Sequence, residues 1–111
     1  MLTDTEGIDF NAYIHSLYKS VKKSWFANMA PSVQLGQQGK NAVQFRVLRD
    51  GTVPEDYLKL VYSSEKKDLD EASLQAVRKA APFSRLPEKY SQPFIELRMT
   101  FSYNVAPPKP Q

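Results

Sequence analysis

Apolar residues near the start of the chain follow the spacing of a helix. They recur in steps of three and four, which is typical of an amphipathic helix with one buried stripe. The stripe comprises Phe10, Tyr13, Ile14, Leu17, Val21 and Trp25. Asp9 suits the N-cap position, and Pro31 limits the helix at its other end. We therefore predict a helix over residues 9–28.

The middle of the chain changes to a period of two. After a polar loop at 31–41, Val43, Phe45 and Val47 alternate with polar residues, which predicts a half-buried strand. Asp50-Gly51 is a strong signal for a tight turn. A second strand is predicted at about 52–63, with one face formed by Leu58, Leu60 and Tyr62. Pro54 cannot donate to a ladder, so this strand lies at an edge or begins irregularly.

Helical spacing returns in the second half of the chain. Asp68 followed by Glu71 fits a capping box with aspartate in place of serine or threonine. The buried stripe is predicted to be Leu69, Ala72, Ala76, Val77 and Ala80. Pro82 ends the helix, and Phe83 with Leu86 is expected to seal the end of the core.

The last predicted element is a long strand within Ser91–Asn104. Apolar residues fall on one side and polar residues on the other, as in a strand with one buried face. The apolar side holds Ile95, Leu97, Met99, Phe101 and Tyr103, and the polar side holds Glu96, Arg98, Thr100, Ser102 and Asn104.

The element order predicts an α+β fold of the form helix-strand-strand-helix-strand. The tight turn makes the first two strands antiparallel, and a right-handed helical crossover places the third strand beside the first. This gives a three-stranded antiparallel sheet of order 2-1-3 with both helices on one face. The last strand then has one free edge. The predicted core includes Trp25, Phe45, Val47, Val77, Phe83, Leu97 and Phe101.

Composition narrows the class of protein. The 111 residues suffice for one domain, which we place at 9–104 between a flexible lead-in at 1–8 and a proline-rich tail at 105–111. The chain lacks cysteine, so it has neither disulfides nor thiolate sites. No apolar run is long enough to cross a bilayer, and the polar start does not resemble a signal peptide. The net charge of +3 is scattered, which disfavours a nucleic-acid partner.

Nothing in the sequence favours catalysis or a cofactor. His15 is the single histidine, and no further ligands are spaced around it for a metal. Ser63-Ser64 lacks the G-x-S-x-G context of an activated serine. Helix capping explains Asp68, Asp70 and Glu71 better than a cation site does. We therefore expect a protein that is not an enzyme.

Several segments together resemble a known family. The helix ending at Trp25, Asp50-Gly51, Ser63-Ser64, the run Ala80–Phe83 and the final Phe101–Asn104 occur in the order found in C-terminal domains of TonB-family energy transducers. The resemblance covers about residues 9–104 and is strongest to the TolA-like branch. Glu65 stands where the family often has a glycine. A transmembrane helix and a spacer are absent, so we expect an excised domain.

The resemblance implies a periplasmic adaptor that belongs to a protein anchored in the inner membrane. Its expected partners are an ExbB–ExbD-type motor, reached through an N-terminal region, and the TonB box of an outer-membrane transporter. In TonB itself this segment adds as a strand to the last strand of the domain. The implied partner-binding residues are Phe94, Ile95, Glu96, Leu97, Arg98, Met99, Thr100, Phe101, Ser102, Tyr103 and Asn104. The loop Pro31–Gly39 is a further candidate.

Other interpretations remain open at this stage. The free edge could pair with a second copy to give a strand-exchanged homodimer. The chain could be a TolA-like domain that binds Tol-system partners. It could also be a small basic module that binds RNA on its sheet, although the polar open face predicted from Gln44, Arg46, Glu96, Arg98 and Thr100 argues against this.

Overall fold

The computed structural model describes residues 7–27, 29, 33 and 36–104. The predicted lead-in and tail therefore lie mostly or wholly outside the described residues, as does much of the loop before the first strand. In chain order the elements are helix α1 (Asn11–Ala27), strand β1 (Gly39–Leu48), a 3₁₀ turn (Glu55–Tyr57), strand β2 (Lys59–Tyr62), helix α2 (Lys67–Ala80) and strand β3 (Phe94–Tyr103).

The sheet is antiparallel and has the order β2-β1-β3, which confirms the predicted topology. Strand β1 is central, and its pairing with β3 is continuous from Gly39 opposite Tyr103 to Leu48 opposite Phe94. Because β3 holds β1 along this whole length, β1 begins at Gly39, and the prediction of a loop up to residue 41 was wrong.

Strand β2 is shorter than predicted and changes face at its end. The predicted strand over 52–63 is instead a 3₁₀ turn followed by Lys59–Tyr62. Leu60 lies opposite Val43, but Tyr62 lies opposite Ala42, with a register shift between the two pairs. Such a bulge inserts an extra residue, here Val61, and reverses the alternation of faces. Tyr62 is therefore exposed rather than packed beside Leu60 as predicted.

One hydrophobic core joins the two helices to the same face of the sheet. Leu17 and Val21 of α1, and Leu69 of α2, pack with the inward residues of β1 and β3. Of the residues predicted for the core, Trp25 and Phe83 are partly buried. The others are buried, namely Phe45, Val47, Val77, Leu97 and Phe101. Tyr90, in the crossing before β3, is fully buried and was not predicted.

The starts of both helices differ from the predictions. Helix α1 begins at Asn11, and the carboxylate of Asp9 accepts the N–H of Asn11 at 2.8 Å. Helix α2 begins at Lys67 with Lys66 as its N-cap, which makes no side-chain capping bond. Asp68 therefore lies inside the first turn, and the predicted capping box was wrong. The side-chain hydrogen bond at this end comes instead from Ser64, two residues before the N-cap residue, because its Oγ accepts the N–H of Lys66.

The turn between β1 and β2 packs directly against the crossing that leads to β3. Gly51 has φ +91°, a backbone conformation that favours glycine. Its carbonyl accepts the N–H of Phe83 at 2.8 Å. A Cβ added to Gly51 would lie 1.9 Å from the carbonyl oxygen of Phe83. The turn thus needs glycine both for its conformation and for the close approach of two backbones.

We expect Gly51→Ala to lower the free energy of unfolding by more than ~3 kcal/mol, because backbone strain and a backbone clash add. Gly36→Ala is the matched control. Gly36 also has a positive φ, +89°, but an added Cβ there meets no atom within 4 Å. Its expected cost is ~1 kcal/mol, from conformation alone. Urea denaturation of both variants measures the difference. Equal losses in free energy of unfolding would show that the close approach to Phe83 adds nothing to the cost of a side chain at Gly51.

Candidate partner-binding edge

Strand β3 lies at the rim of the sheet. It has β1 on one side, and no strand among residues 7–27 and 36–104 lies on the other side. The strand runs for ten residues, Phe94–Tyr103, without a break in its pairing with β1. Half of its main-chain N–H and C=O groups therefore point away from the sheet, as in any edge strand.

Two hydrogen bonds decide which backbone groups point outward. In an antiparallel ladder, residue pairs that exchange hydrogen bonds alternate with pairs that do not. Leu48 lies opposite Phe94, but the Leu48 N–H donates to Thr52 and the Phe94 carbonyl accepts the hydroxyl of Tyr90 at 2.9 Å. This pair is therefore a non-bonded one. It follows that the backbone groups of alternate residues face outward, namely Phe94, Glu96, Arg98, Thr100 and Ser102.

The start of β3 is fixed on the open face of the sheet by an arginine. The guanidinium of Arg46 lies 4.2 Å from the ring centroids of both Tyr57 and Phe94. The same guanidinium pairs with Glu96, directly opposite on β3, at 3.3 Å. Cation–π contacts and a shared ion pair thus join the 3₁₀ turn, β1 and β3. The sequence analysis predicted polar residues on the open face and did not anticipate the rings of Tyr57 and Phe94, which the guanidinium of Arg46 covers.

The end of β3 is fixed by a buried tyrosine. The hydroxyl of Tyr103 accepts the indole N–H of Trp25 at 2.9 Å and lies 2.6 Å from the Oγ of Ser73. It also lies 3.2 Å from the carbonyl of Leu69. Burial raises the pKa of Tyr103, so the group stays neutral. Trp25 contributes to this cluster from the end of α1, which ties one end of β3 to both helices.

A carboxylate beside this cluster organises the start of α2. Asp70 accepts hydrogen bonds from the hydroxyl groups of Ser63 and Ser64 and from the backbone N–H of Ser64. The buried amide of Asn41, on β1, donates to the same carboxylate at 3.1 Å. Partial burial raises the pKa of Asp70, but the hydrogen bonds from Ser63 and Ser64 outweigh it and hold the pKa below its usual value. The serine pair therefore has a structural role.

Other residues singled out from the sequence lie away from this edge or beyond the strand. Asn104, which was predicted to belong to the strand, follows it with φ +51°. Its amide nitrogen donates to the carbonyls of Val33 and Gln37 at 2.8 Å. Asn104 therefore follows the end of β3 and binds two residues that precede β1. His15 is exposed on α1. The described ranges contain no group of three or more acidic or histidine side chains that could hold a metal.

The fold and the edge together define a small α+β domain with a long strand open to pairing. Residues 10–101 match the family model described as TonB C terminal. The chain therefore belongs to the family of TonB C-terminal domains. Within the described residues, none of the helices has the length and apolar character that crossing a membrane requires.

Solved structures share this fold. The TonB C-terminal domain of Helicobacter pylori (residues 179–285, solution NMR) superposes with a TM-score of 0.67 at 24% identity, covering 92% of this chain and 88% of that chain. The C-terminal domain of HasB has a TM-score of 0.58 at 20% identity, covering 94% of this chain and 78% of that one. Among curated proteins, none matches the chain.

We expect Asp70→Asn to lower the free energy of unfolding by ~1–2 kcal/mol at neutral pH, because several donors lose a charged acceptor. The pKa of Asp70 is lower in the folded state than in the unfolded state. The stabilisation that the ionised carboxylate gives the fold is therefore fully present above the unfolded pKa and is lost as the pH falls through the folded pKa. The difference in free energy of unfolding between wild type and Asp70→Asn should therefore become smaller in acid. Urea denaturation across this pH range measures it.

Asp56→Asn, at an exposed position in the 3₁₀ turn, is the control for the change in net charge. If the difference in free energy of unfolding between wild type and Asp70→Asn stayed constant into strong acid, the role of the ionised carboxylate would be contradicted.

Proposed function

We propose that this chain is the periplasmic, non-catalytic partner-binding domain of a TonB-type energy transducer. It binds the TonB box of an outer-membrane transporter as an added strand beside β3. An ExbB–ExbD-type motor in the inner membrane supplies energy from the proton-motive force through a region N-terminal to the domain. Family membership supports the class of protein, and the free edge of β3 is the single observation that carries the mode of binding.

The backbone geometry of β3 suits strand addition. The N–H and C=O groups of Glu96, Arg98, Thr100 and Ser102 form a regular outward ladder in the arrangement derived above. Pairing through main-chain groups tolerates different partner sequences, as an adaptor that serves several transporters needs. The clusters at Arg46 and Tyr103 hold the two ends of β3, so the edge is ordered before a partner arrives and less entropy is lost on binding.

The strength of such a contact fits a reversible coupling. Each backbone hydrogen bond contributes a net ~0.5–1.5 kcal/mol, and ordering the peptide offsets part of the sum. The result is a modest affinity that permits release after each cycle. A pull directed along the strands loads the bonds together, so the contact resists force better than its affinity alone suggests.

Proline substitution on the outward positions tests the mode of binding. Thr100→Pro and Ser102→Pro each remove an N–H that β1 does not use, and edge strands tolerate proline at such positions. We expect each variant to bind a TonB-box peptide at least ~10-fold more weakly, with a smaller loss of fold stability. Titrations followed by backbone amide NMR shifts measure the affinity and locate the contact.

Two matched variants complete the experiment. Thr100→Ala keeps the N–H and should bind like the wild type. Met99→Pro removes an inward N–H that pairs with Val43 and should destabilise the fold itself. Wild-type affinity in both Thr100→Pro and Ser102→Pro would refute strand addition at this edge.

A further inference from the structure

A groove runs along the helix side of the free edge. Its walls are Ile14, Leu17 and Tyr18 of α1 and the segment from Leu97 to Thr100 of β3. The groove is open to solvent and has a volume of about 230 Å³. The groove therefore lies directly beside the outward backbone groups to which the added strand of the proposed function would bind.

The floor and the helix wall of the groove are apolar. Leu97 is buried, whereas Met99 is only partly buried although it points to the core side of the sheet. Tyr18 is 52% exposed and faces the same groove. At the rim of a sheet, inward side chains lack a neighbouring strand to cover them. Further apolar contact here would remove Met99 and Tyr18 from water, which is favourable in proportion to the area buried.

The geometry of a sheet determines which partner side chains would reach this groove. Residues opposite one another on neighbouring strands point to the same face. Partner residues opposite Leu97 and Met99 would therefore point to the helix side, into the groove. Partner residues opposite Arg98 and Thr100 would point to the open face. This holds for either direction of the added strand, because the alternation of faces is the same.

The charges at the edge make the two faces of the partner unequal. Arg98 is exposed and makes a long bond of 3.4 Å to the neutral amide of Gln44. Glu96 pairs instead with Arg46, and the residues that line the groove include no acidic side chain. A partner with a carboxylate beside Arg98 therefore gains charge complementarity on the open face.

We propose that the groove between α1 and β3 is a side-chain selection site, in which Tyr18 and Met99 contact every second residue of the added strand. The preferred occupant is an extended segment with apolar residues on its helix-facing side and polar residues, one of them acidic, on its open side. This inference rests on strand addition at β3 and names which side chains decide the choice among partner segments.

Two peptides of identical composition test the selection. In the first, valines alternate with threonine and glutamate, and in the second the valines are contiguous. Both offer the same backbone groups, but only the first places all its valines on one face. We expect the alternating peptide to bind roughly tenfold more tightly. In titrations monitored by NMR, both peptides should shift the backbone amide signals of β3. The alternating peptide should also shift the amide signals of α1 around Tyr18.

Variants of the domain assign the effect to the groove. Tyr18→Ala should weaken the alternating peptide roughly tenfold and the contiguous peptide, which places fewer valines in the groove, by less, so that selectivity falls. Alanine suits a helix, so the fold is retained. Tyr62→Ala is the matched control, because Tyr62 is 64% exposed and lies on β2, across β1 from the groove. Met99→Gln, which keeps the length of the side chain, should also reduce selectivity.

The outcomes are distinguishable. Selectivity that is lost in Tyr18→Ala and kept in Tyr62→Ala supports the selection site. Equal binding of both peptides along β3, or equal effects of the two tyrosine variants, overturns it while strand addition stands. Failure of both peptides to shift any β3 amide overturns the selection site and the proposed function together.

Discussion

The pairing of β1 with β3 is the interaction on which the rest of the structure depends. It runs without a bulge from Gly39 opposite Tyr103 to Leu48 opposite Phe94, whereas the pairing of β1 with β2 is short and irregular. The long ladder places the inward residues of both strands in one row under the helices, and these residues form much of the core. It also leaves the far side of β3 without a strand among the described residues. The same constraint therefore creates the core and the proposed binding edge.

An open edge is also a hazard, since unpaired backbone groups invite association with other chains. The features around β3 limit this freedom without closing the edge. Arg46, held between Tyr57 and Phe94, fixes one end of the strand, and the hydroxyl of Tyr103 fixes the other through Trp25 and Ser73. Charged residues on an edge strand, such as Arg98 on the open face, are one of the features by which proteins limit such pairing. Side-chain contacts thus hold β3 at both ends, and no strand among the described residues covers its outer edge.

Helix α1 has two roles in this arrangement. Its buried stripe, which includes Leu17 and Val21, closes the core, while Ile14 and Tyr18 stand beside the edge of β3 as one wall of a groove. Backbone pairing alone distinguishes poorly between partner sequences, whereas side chains beside the edge can discriminate. If the proposed function holds, an edge for backbone pairing beside an apolar groove would let one domain accept several partners and still reject most extended segments.

Sequence patterns determined the class of this fold and most of its core, because periodicity reports directly which residues face the interior. The helix stripe of α1, the alternation in β1 and β3, and the turn at Asp50-Gly51 were all predictable, as was the strand order, since the connections leave few alternatives. Tertiary structure decided the rest. The bulge that turns Tyr62 outward, the burial of Tyr90, the clustering of donors on Asp70 and the groove at Tyr18 each depend on residues distant in sequence. Local patterns do not encode such contacts, because they arise only when separate elements pack together.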